Sequence, residues 1–134
     1  MKQLDILKFF GDCGIRYQFD EIKKAYSYLT RMGKDGRIIE VDKDGYPWGI
    51  IIFSLCNDYE PFYKKYTWKY LKHDRKGHIA YIEKMACYGW SKELRKAFEE
   101  RLVAKYPNIE QAIWHRYGKT GDRTVIYRRK VCMK

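Results

Sequence analysis

One acidic residue, Glu83, lies within an otherwise mostly apolar segment, residues 77–87, whose composition favours a β-strand. Alternation along a strand puts Ile79, Tyr81, Glu83 and Met85 on one face. Burying a carboxylate there is costly unless it is paired or used in chemistry, and burial makes its ionised form a stronger base. Glu83 is therefore a candidate general base or orienting acid, and the alternative is a structural ion pair with a nearby arginine.

Two histidines are candidates for an imidazole beside Glu83. His78 belongs to the same predicted strand but to its opposite face, whereas His115 ends the next predicted strand, residues 110–115. Either one serves only if the sheet brings it to Glu83, and His115 is the better candidate. The alternative for both is a surface or hydrogen-bonded structural histidine.

The segment Tyr88, Gly89, Trp90 and Ser91 stops the strand and starts a helix. Ser91 is a favourable N-cap residue, and the N-terminus of a helix attracts anions. The four residues are a candidate cofactor-binding turn, or else a plain connection capped by Ser91. Cys87, beside the turn, has no identifiable base next to it, so a buried and inert thiol is the simpler interpretation.

Basic residues gather near the C-terminus around Trp114, Tyr117 and Tyr127. Basic side chains interleaved with aromatic rings suit phosphate contacts and base stacking on single-stranded nucleic acid. The same composition also protects the edge strand of a sheet from pairing with another chain. The candidate anion-binding residues are Arg116, Lys119, Arg123, Arg128, Arg129 and Lys130.

These candidates depend on the predicted order of elements in the C-terminal half. A helix is predicted from Ser91 to about residue 106 by the helical spacing of Leu94, Ala97, Phe98, Arg101 and Leu102. It is followed by strands over residues 110–115 and 123–128 with a turn at 118–121. A strand, a helix and a strand in succession imply a crossover connection and parallel pairing.

The N-terminal half predicts two helices and a β-hairpin. The first helix is expected to end at Gly11; the second to begin at a cap, Asp20, and to stop at Gly33. The hairpin comprises residues 37–42, a turn at 43–45 and an apolar strand at 48–55. The predicted apolar stripe of the second helix is Ile22, Ala25, Tyr26 and Leu29. Residues 57–76, rich in aromatic rings and lysines, give no clear prediction.

Composition limits the class of protein. A chain of 134 residues with 46% hydrophobic residues is expected to form one folded domain, residues 1–134. A net charge of +11 predicts an anionic partner, although a merely solubilising surface remains an alternative. The four cysteines fit no zinc or disulfide spacing, so mostly buried, reduced thiols and no metal are expected. With no long apolar segment, we expect a cytoplasmic protein without a membrane span.

The order of elements is similar to that of the GNAT acyltransferase superfamily and, more specifically, resembles the toxin-activating lysine acyltransferases. The resemblance implies a GNAT-like α/β (α+β) fold, with a mixed twisted sheet, two N-terminal helices and a helix after the long central strand. The residues that carry the closer resemblance are Asp44-Gly45-Tyr46-Pro47, Asp74-Arg75-Lys76, Ile82-Glu83 followed by Gly89, Arg95 with Tyr106-Pro107, and Ile113-Trp114-His115-Arg116.

The resemblance implies an N-acyltransferase that moves an acyl group from acyl-CoA or acyl carrier protein to an amine such as a protein lysine. Glu83 stands where the family has an Asp that partners an N-terminal His, but this chain has no His before His73. The donor turn has one glycine, Gly89, where most GNAT enzymes have two small residues. The alternative is a non-catalytic GNAT-shaped scaffold that binds nucleic acid or an acidic protein. The sequence is also compatible with a homodimer.

Overall fold

The computed structural model describes residues 2–13, 19–57, 73–117 and 124–130. Within these ranges, residues 19–21, 115–117 and 124–130 are described by their backbone alone. The aromatic and lysine-rich stretch at 58–72 and the turn predicted at 118–121 lie outside the described residues. The described elements, in chain order, are α1 (Gln3–Asp12), α2 (Phe19–Lys34), β1 (Ile38–Lys43), β2 (Tyr46–Cys56), β3 (Ile79–Cys87), α3 (Lys92–Lys105), β4 (Gln111–Tyr117) and β5 (Thr124–Lys130).

The five described strands form one sheet in the order β1-β2-β3-β4-β5. Neighbouring strands are antiparallel except β3 and β4, which are parallel because α3 carries the chain back to the starting end of the sheet. The predicted crossover is thus confirmed, and the described fold is a mixed α+β arrangement with β3 as its middle strand.

The predicted β-hairpin is also confirmed. Asp44 and Gly45, which connect β1 to β2, have φ angles of 53° and 82°. Two successive residues in the left-handed region give a two-residue turn whose twist matches that of the flanking strands. This turn sets the pairing of Lys43 with Tyr46 and of Asp42 with Pro47, and a β-bulge then shifts the register by one residue, so that Ile39 lies opposite Ile51.

Both N-terminal helices exist, but their predicted ends were wrong. Helix α1 continues through Gly11 to Asp12, and α2 continues through Gly33 to Lys34. The chain turns out of α2 at Gly36, which has a φ of +70°. Asp20 lies inside α2 rather than capping it. A glycine within a helix costs only about 1 kcal/mol, which packing against the sheet readily offsets.

The buried face of α2 is rotated from the predicted stripe. Ile22 and Tyr26 are 40% and 44% exposed, whereas Tyr28 is buried. The reason is a polar partner for Tyr28 on the sheet, described below. The side chains of α2 that are buried against the rest of the protein are Ala25, Tyr28, Leu29 and Met32.

Helices cover both faces of the sheet. On β2, Ile51 and Phe53 belong to a core formed with α3, while Ile50 and Ile52 belong to a second core formed with α1 and α2. Because successive residues of a strand point to opposite faces, this division places α3 on one side of the sheet and α1 and α2 on the other. The apolar run of β2 is the sequence signature of a strand covered on both faces.

The middle strand carries a β-bulge at Glu83. Ile52 pairs with Lys84, and Phe53 pairs with Ile82, so Glu83 is the extra residue. The bulge breaks the alternation: Glu83 contacts Tyr28 of α2, whereas Met85 packs with the α3 core. The expectation that Glu83 and Met85 share a face was therefore wrong.

Helix α3 follows the prediction closely. The hydroxyl of Ser91 accepts a hydrogen bond from the backbone N–H of Leu94 at 3.1 Å, which confirms Ser91 as the N-cap. Such a cap is worth about 1 kcal/mol. Leu94, Phe98 and Leu102 are buried at helical spacing and form the α3 side of the core.

Three cysteines lie in the described ranges, namely Cys13, Cys56 and Cys87, and all three are free thiols. Each lies at or just beyond the end of a helix or strand and has most, but not all, of its surface buried, which agrees with the expectation of mostly buried thiols. Cys132 lies outside the described residues.

Candidate functional site

The side chain of Glu83 is only 4% exposed and lies in a polar network between the sheet and α2. Its Oε1 atom accepts a hydrogen bond from the Tyr28 hydroxyl at 2.8 Å. Its Oε2 atom accepts one from Arg37 Nη2 at 2.7 Å and another from the Ser54 hydroxyl. Both carboxylate oxygens are therefore held by protein donors.

Arg37 is the cation of this network and is completely buried. Its Nε donates to the carbonyl of Phe53 at 2.9 Å, and Nη2 also donates to the Ser54 hydroxyl. Its Nη1 atom is 3.7 Å from the carboxylate of Asp35. The residue directly precedes β1, and its carbonyl accepts from the N–H of Phe53 at 3.1 Å. Strand pairing thus fixes the backbone from which the guanidinium reaches Glu83.

The arrangement gives Glu83 the ion pair that was the alternative to a catalytic role. A carboxylate has about four lone-pair positions, and three donors occupy three of them. Burial and the nearby carboxylate of Glu83 raise the pKa of Tyr28, so its hydroxyl keeps its proton and remains a donor. In chemistry, Glu83 would therefore act as an orienting group, or as a base through a water at its remaining position.

Arg37 of this network also influences the imidazole of His73, which the sequence did not single out. Its Nδ1 atom accepts from the N–H of Leu55 at 3.0 Å, and its ring lies edge-on to Tyr106 with centroids 6.2 Å apart. Burial, followed by the positive charge of Arg37, lowers the pKa of His73. The ring is therefore held in its neutral form. Its Nε2 atom is buried and has no partner within the described part of the chain.

The two histidines proposed from sequence have separate positions. The carbonyl of His78, just before β3, accepts hydrogen bonds from the N–H groups of Glu110 and Gln111, which hold the start of β4. The backbone of His115 lies in β4 opposite Ile126 of β5. The side chain of His115 lies outside the described part, so its role beside Glu83 stays a prediction.

The turn between β3 and α3 is an exposed aromatic corner. Tyr88 is 59% exposed and Trp90 is 48% exposed. The Tyr88 N–H donates to the carbonyl of Trp48 at 3.2 Å, its ring meets Phe9 edge-on at 4.9 Å, and its hydroxyl is 3.4 Å from Asp12. These contacts tie the turn to β2 and to α1.

Gly89 is not required by the local backbone. An added Cβ would meet nothing within 4 Å, and the residue does not have a positive φ. A glycine can instead be required by a ligand, because the absence of a side chain lets a phosphate group approach the backbone N–H groups. Such a glycine needs no crowding by neighbouring protein atoms. The structure thus accounts for Ser91 by its role as the N-cap of α3. Donor binding by Tyr88, Gly89 and Trp90 stays a prediction.

Only part of the predicted basic cluster lies among the residues that the structure describes. The backbone of Arg116 lies in β4, and the backbones of Arg128, Arg129 and Lys130 lie in β5, the last strand of the described sheet. Lys119 and Arg123 lie outside the described residues. Anion binding by these six residues stays a prediction.

The described ranges contain neither a cluster of metal-ligating side chains nor a membrane-spanning helix. No group of three or more His, Cys, Asp or Glu side chains there could hold a metal ion. No helix there combines the length and apolar character needed to cross a bilayer.

The chain was compared with models of known protein families and with curated protein sequences, and neither comparison gave a match.

Sequence reasoning identified Glu83 but missed the residues around it. Ser54 interrupts the apolar run of β2, and Arg37 directly precedes β1. A single polar residue inside a strand that is apolar on both faces is a signal for a buried hydrogen bond, and Ser54 fits it. Tyr28 carried no such signal, because tyrosine is common on helix faces of either kind.

Proposed function

We propose that the protein is a GNAT-like acyltransferase that moves an acyl group from a CoA or acyl carrier protein thioester to an amine. The observation that supports this most is the short parallel ladder between β3 and β4. It joins Ile79–Tyr81 to Gln111–Ile113, while β3 continues to Cys87 and β4 to Tyr117. The bulge at Glu83 lies just beyond the end of this ladder.

The end of the ladder is where an extended donor would bind. Backbone groups along an open strand edge can hydrogen-bond an extended ligand in the manner of an added strand. From Glu83 to Tyr88 the chain advances five residues, or about 16 Å of strand. A long, flexible acyl-thioester arm would bridge that length, with its acyl end near Glu83 and its anionic end near α3.

The reaction assigned to this site is aminolysis of a thioester. A neutral acceptor amine forms a C–N bond with the thioester carbonyl carbon, the C–S bond breaks, and the thiol leaves with a proton. Glu83, held by Arg37, Ser54 and Tyr28, accepts the surplus proton of the attacking amine through an intervening water, and the same route returns a proton to the departing thiolate. The N-terminus of α3 would favour the anionic end of the donor, with Ser91 already satisfying the N–H of Leu94.

Thermal unfolding tests this proposal directly. A ligand that binds only the folded protein raises its Tm, by an amount equivalent to about 2.7 kcal/mol at 100 times its Kd. We expect acetyl-CoA, a longer acyl-CoA or an acylated carrier protein to raise the Tm. Analogues of these donors that lack the sulfur atom or the acyl group serve as control ligands. No shift with any donor would reject the transferase proposal.

A matched pair of variants locates the binding. Trp90→Ala, in the turn, should abolish the shift, whereas Tyr26→Ala, a similarly exposed aromatic residue on α2, should leave it unchanged.

Once activity is measured, Glu83→Gln should reduce turnover by at least about tenfold, as expected for loss of a general base or its orientation. Unchanged turnover in a folded Glu83→Gln protein would show that the mechanism is wrong.

A second candidate is a non-catalytic scaffold for nucleic acid or an acidic protein. The observation that favours it is the Arg37–Glu83 ion pair, which gives Glu83 a structural role without any reaction. Titration with single- and double-stranded oligonucleotides at 50 and 200 mM salt tests it, since phosphate binding must weaken steeply with salt. Absence of binding at the lower salt would exclude nucleic acid and leave an acidic protein.

A further inference from the structure

Residues 73–78, which we call the connector, lead into β3 and pack along the outer edge of β2. Strand β1 begins at Ile38, opposite Ile52, so it does not pair with the last residues of β2. There the N–H of Leu55 donates to Nδ1 of His73 at 3.0 Å, and the carbonyl of Leu55 accepts from the N–H of Asp74 at 3.0 Å. The imidazole thus takes the place that a backbone carbonyl has in a paired strand.

The rest of the connector is anchored separately, by Asp74. Its carboxylate accepts from the N–H of Lys76 at 2.9 Å and from the side-chain amide of Asn57 at 2.8 Å. Its carbonyl accepts from the N–H of Gly77 at 2.8 Å. These bonds do not involve the imidazole, so the bond between His73 and Leu55 can open while the turn at Asp74 stays closed.

Only a neutral imidazole can make the bond to Leu55. A ring nitrogen that accepts an N–H carries no proton, so the single proton of the neutral His73 ring is on Nε2. That atom is buried and has no partner among the residues that the structure describes. A second proton would go onto Nδ1, where it would point at the N–H of Leu55. Protonation therefore breaks this hydrogen bond and sets two donors against each other.

The surroundings of the ring oppose its positive form. Burial, followed by the charge of Arg37, lowers the pKa of His73 from its usual value of 6.5, and the nearby carboxylates offset this only in part. Helix α3 contributes the edge of the Tyr106 ring, and β2 contributes the N–H of Leu55. The described charged groups on the segments around the ring are Asp35, Arg37, Asp74, Arg75 and Lys105.

The two anchors respond to different ranges of pH. Because the pKa of His73 is lowered by folding, its contribution to stability is complete above pH 6.5 and is lost as the pH falls through the lowered value. The N–H of Lys76 and the amide of Asn57 lower the pKa of Asp74 from 3.8, so that anchor is lost only in more acidic solution. Near pH 5, His73 is therefore the anchor that changes.

We propose that His73 is a proton-operated latch: when its imidazole takes a proton, the ring leaves the N–H of Leu55 and uncovers the outer edge of β2 at that point. The proton comes from solvent, which reaches the ring because His73 is partly exposed. The sheet itself stays folded, since the two cores on its faces do not include His73. This inference is independent of the proposed acyltransferase function, because neither donor nor acceptor takes part in it.

Hydrogen exchange of backbone amides, measured by NMR on the full chain at pH 7.5 and 5.0, tests the latch. A ring that takes its proton only after release, with the usual pKa of 6.5, makes release about 30 times more favourable at pH 5.0 than at pH 7.5. After correction for intrinsic exchange rates, we therefore expect the protection of the Leu55 amide to fall by about 10- to 30-fold. The amide of Phe53, which donates to the carbonyl of Arg37 on the same edge, is the internal reference and should keep its protection.

Two variants assign the effect to one ring. His73→Gln can place an amide oxygen as acceptor for Leu55 but does not titrate, so the fall in protection should disappear. His78→Gln removes the histidine just before β3 and should keep the fall. If His73→Gln does not fold, the nitrogen resonances of the His73 ring in the unmodified chain decide, because Nδ1 must gain its proton as Leu55 loses protection.

Three results would overturn the inference. The first is equal protection of the Leu55 amide at the two pH values. The second is a fall that persists in His73→Gln or that occurs without protonation of Nδ1. The third is an equal fall at Phe53, which would indicate that the whole sheet opens rather than one latch on its edge.

Discussion

At the scale of single residues, the Glu83 network shows how a charge is kept inside an apolar layer. Arg37 neutralises the carboxylate, and Tyr28 and Ser54 complete its hydrogen bonds. Desolvating two ions costs several kcal/mol each, and close pairing with further hydrogen bonds recovers it. The intact Arg37–Glu83 pair therefore adds little to the free energy of unfolding. Removing one of the two charges is costly, because the other is then buried without a partner.

This dependence predicts unequal costs of substitution. Arg37→Met leaves the carboxylate of Glu83 buried without a cation and should lower the free energy of unfolding by about 3–5 kcal/mol. Tyr28→Phe removes one neutral donor and should cost about 1–2 kcal/mol. Urea denaturation of each purified variant measures both values.

The matched control is the double variant Arg37→Met with Glu83→Gln. Removing both charges together avoids an unpaired buried ion, so the double variant should be more stable than Arg37→Met alone. If the double variant were the less stable of the two, electrostatic pairing would not be what Arg37 contributes.

At the scale of elements, the ends of β3 are built in different ways. Gly77 precedes the strand at a point where an added Cβ would lie 2.7 Å from the backbone nitrogen of Cys56 and 2.8 Å from its oxygen. Gly89 follows the strand in open space. The first glycine is required by the close approach of β2, whereas nothing within the described fold requires the second.

Two alanine substitutions should therefore differ. Gly77→Ala forces backbone against backbone and should lower the free energy of unfolding by about 2 kcal/mol or more, with reduced packing of β2 on β3. Gly89→Ala should change it by less than about 0.5 kcal/mol. Thermal and urea unfolding of the two variants compare them directly, and equal stability would contradict the close contact at Gly77.

At the scale of the whole molecule, the charge of +11 is carried by a fold with two cores, one on each face of the sheet. Like charges on a compact surface repel one another, and this repulsion weakens as salt shortens the screening length from about 30 Å at 0.01 M to about 10 Å at 0.1 M. Salt should therefore stabilise this protein.

We expect the Tm to rise by about 3 °C when NaCl is raised from 0.01 to 0.1 M, because screening relieves self-repulsion. The control variant replaces the exposed residues Lys24 and Lys96 by Gln, which lowers the net charge from +11 to +9. Its Tm should rise less over the same range. A Tm that falls with salt would mean that attractive surface pairs outweigh the repulsion.

The sequence by itself determined the order of elements and the local signals that start and stop several of them. The hairpin turn at Asp44 and Gly45, the cap at Ser91 and the buried face of α3 were all readable, because each depends on residues within a few positions of one another. The isolated acid in the middle strand was also readable as a residue in need of a partner.

Only the tertiary structure decided what that partner is. Arg37 lies 46 positions from Glu83 and Tyr28 lies 55 positions from it, so no local spacing joins them. The bulge that turns Lys84 onto the face of Glu83 and the rotation of α2 towards Tyr28 follow from packing between elements. Such packing energies exceed local propensities of about 1 kcal/mol, and they appear only when distant segments meet.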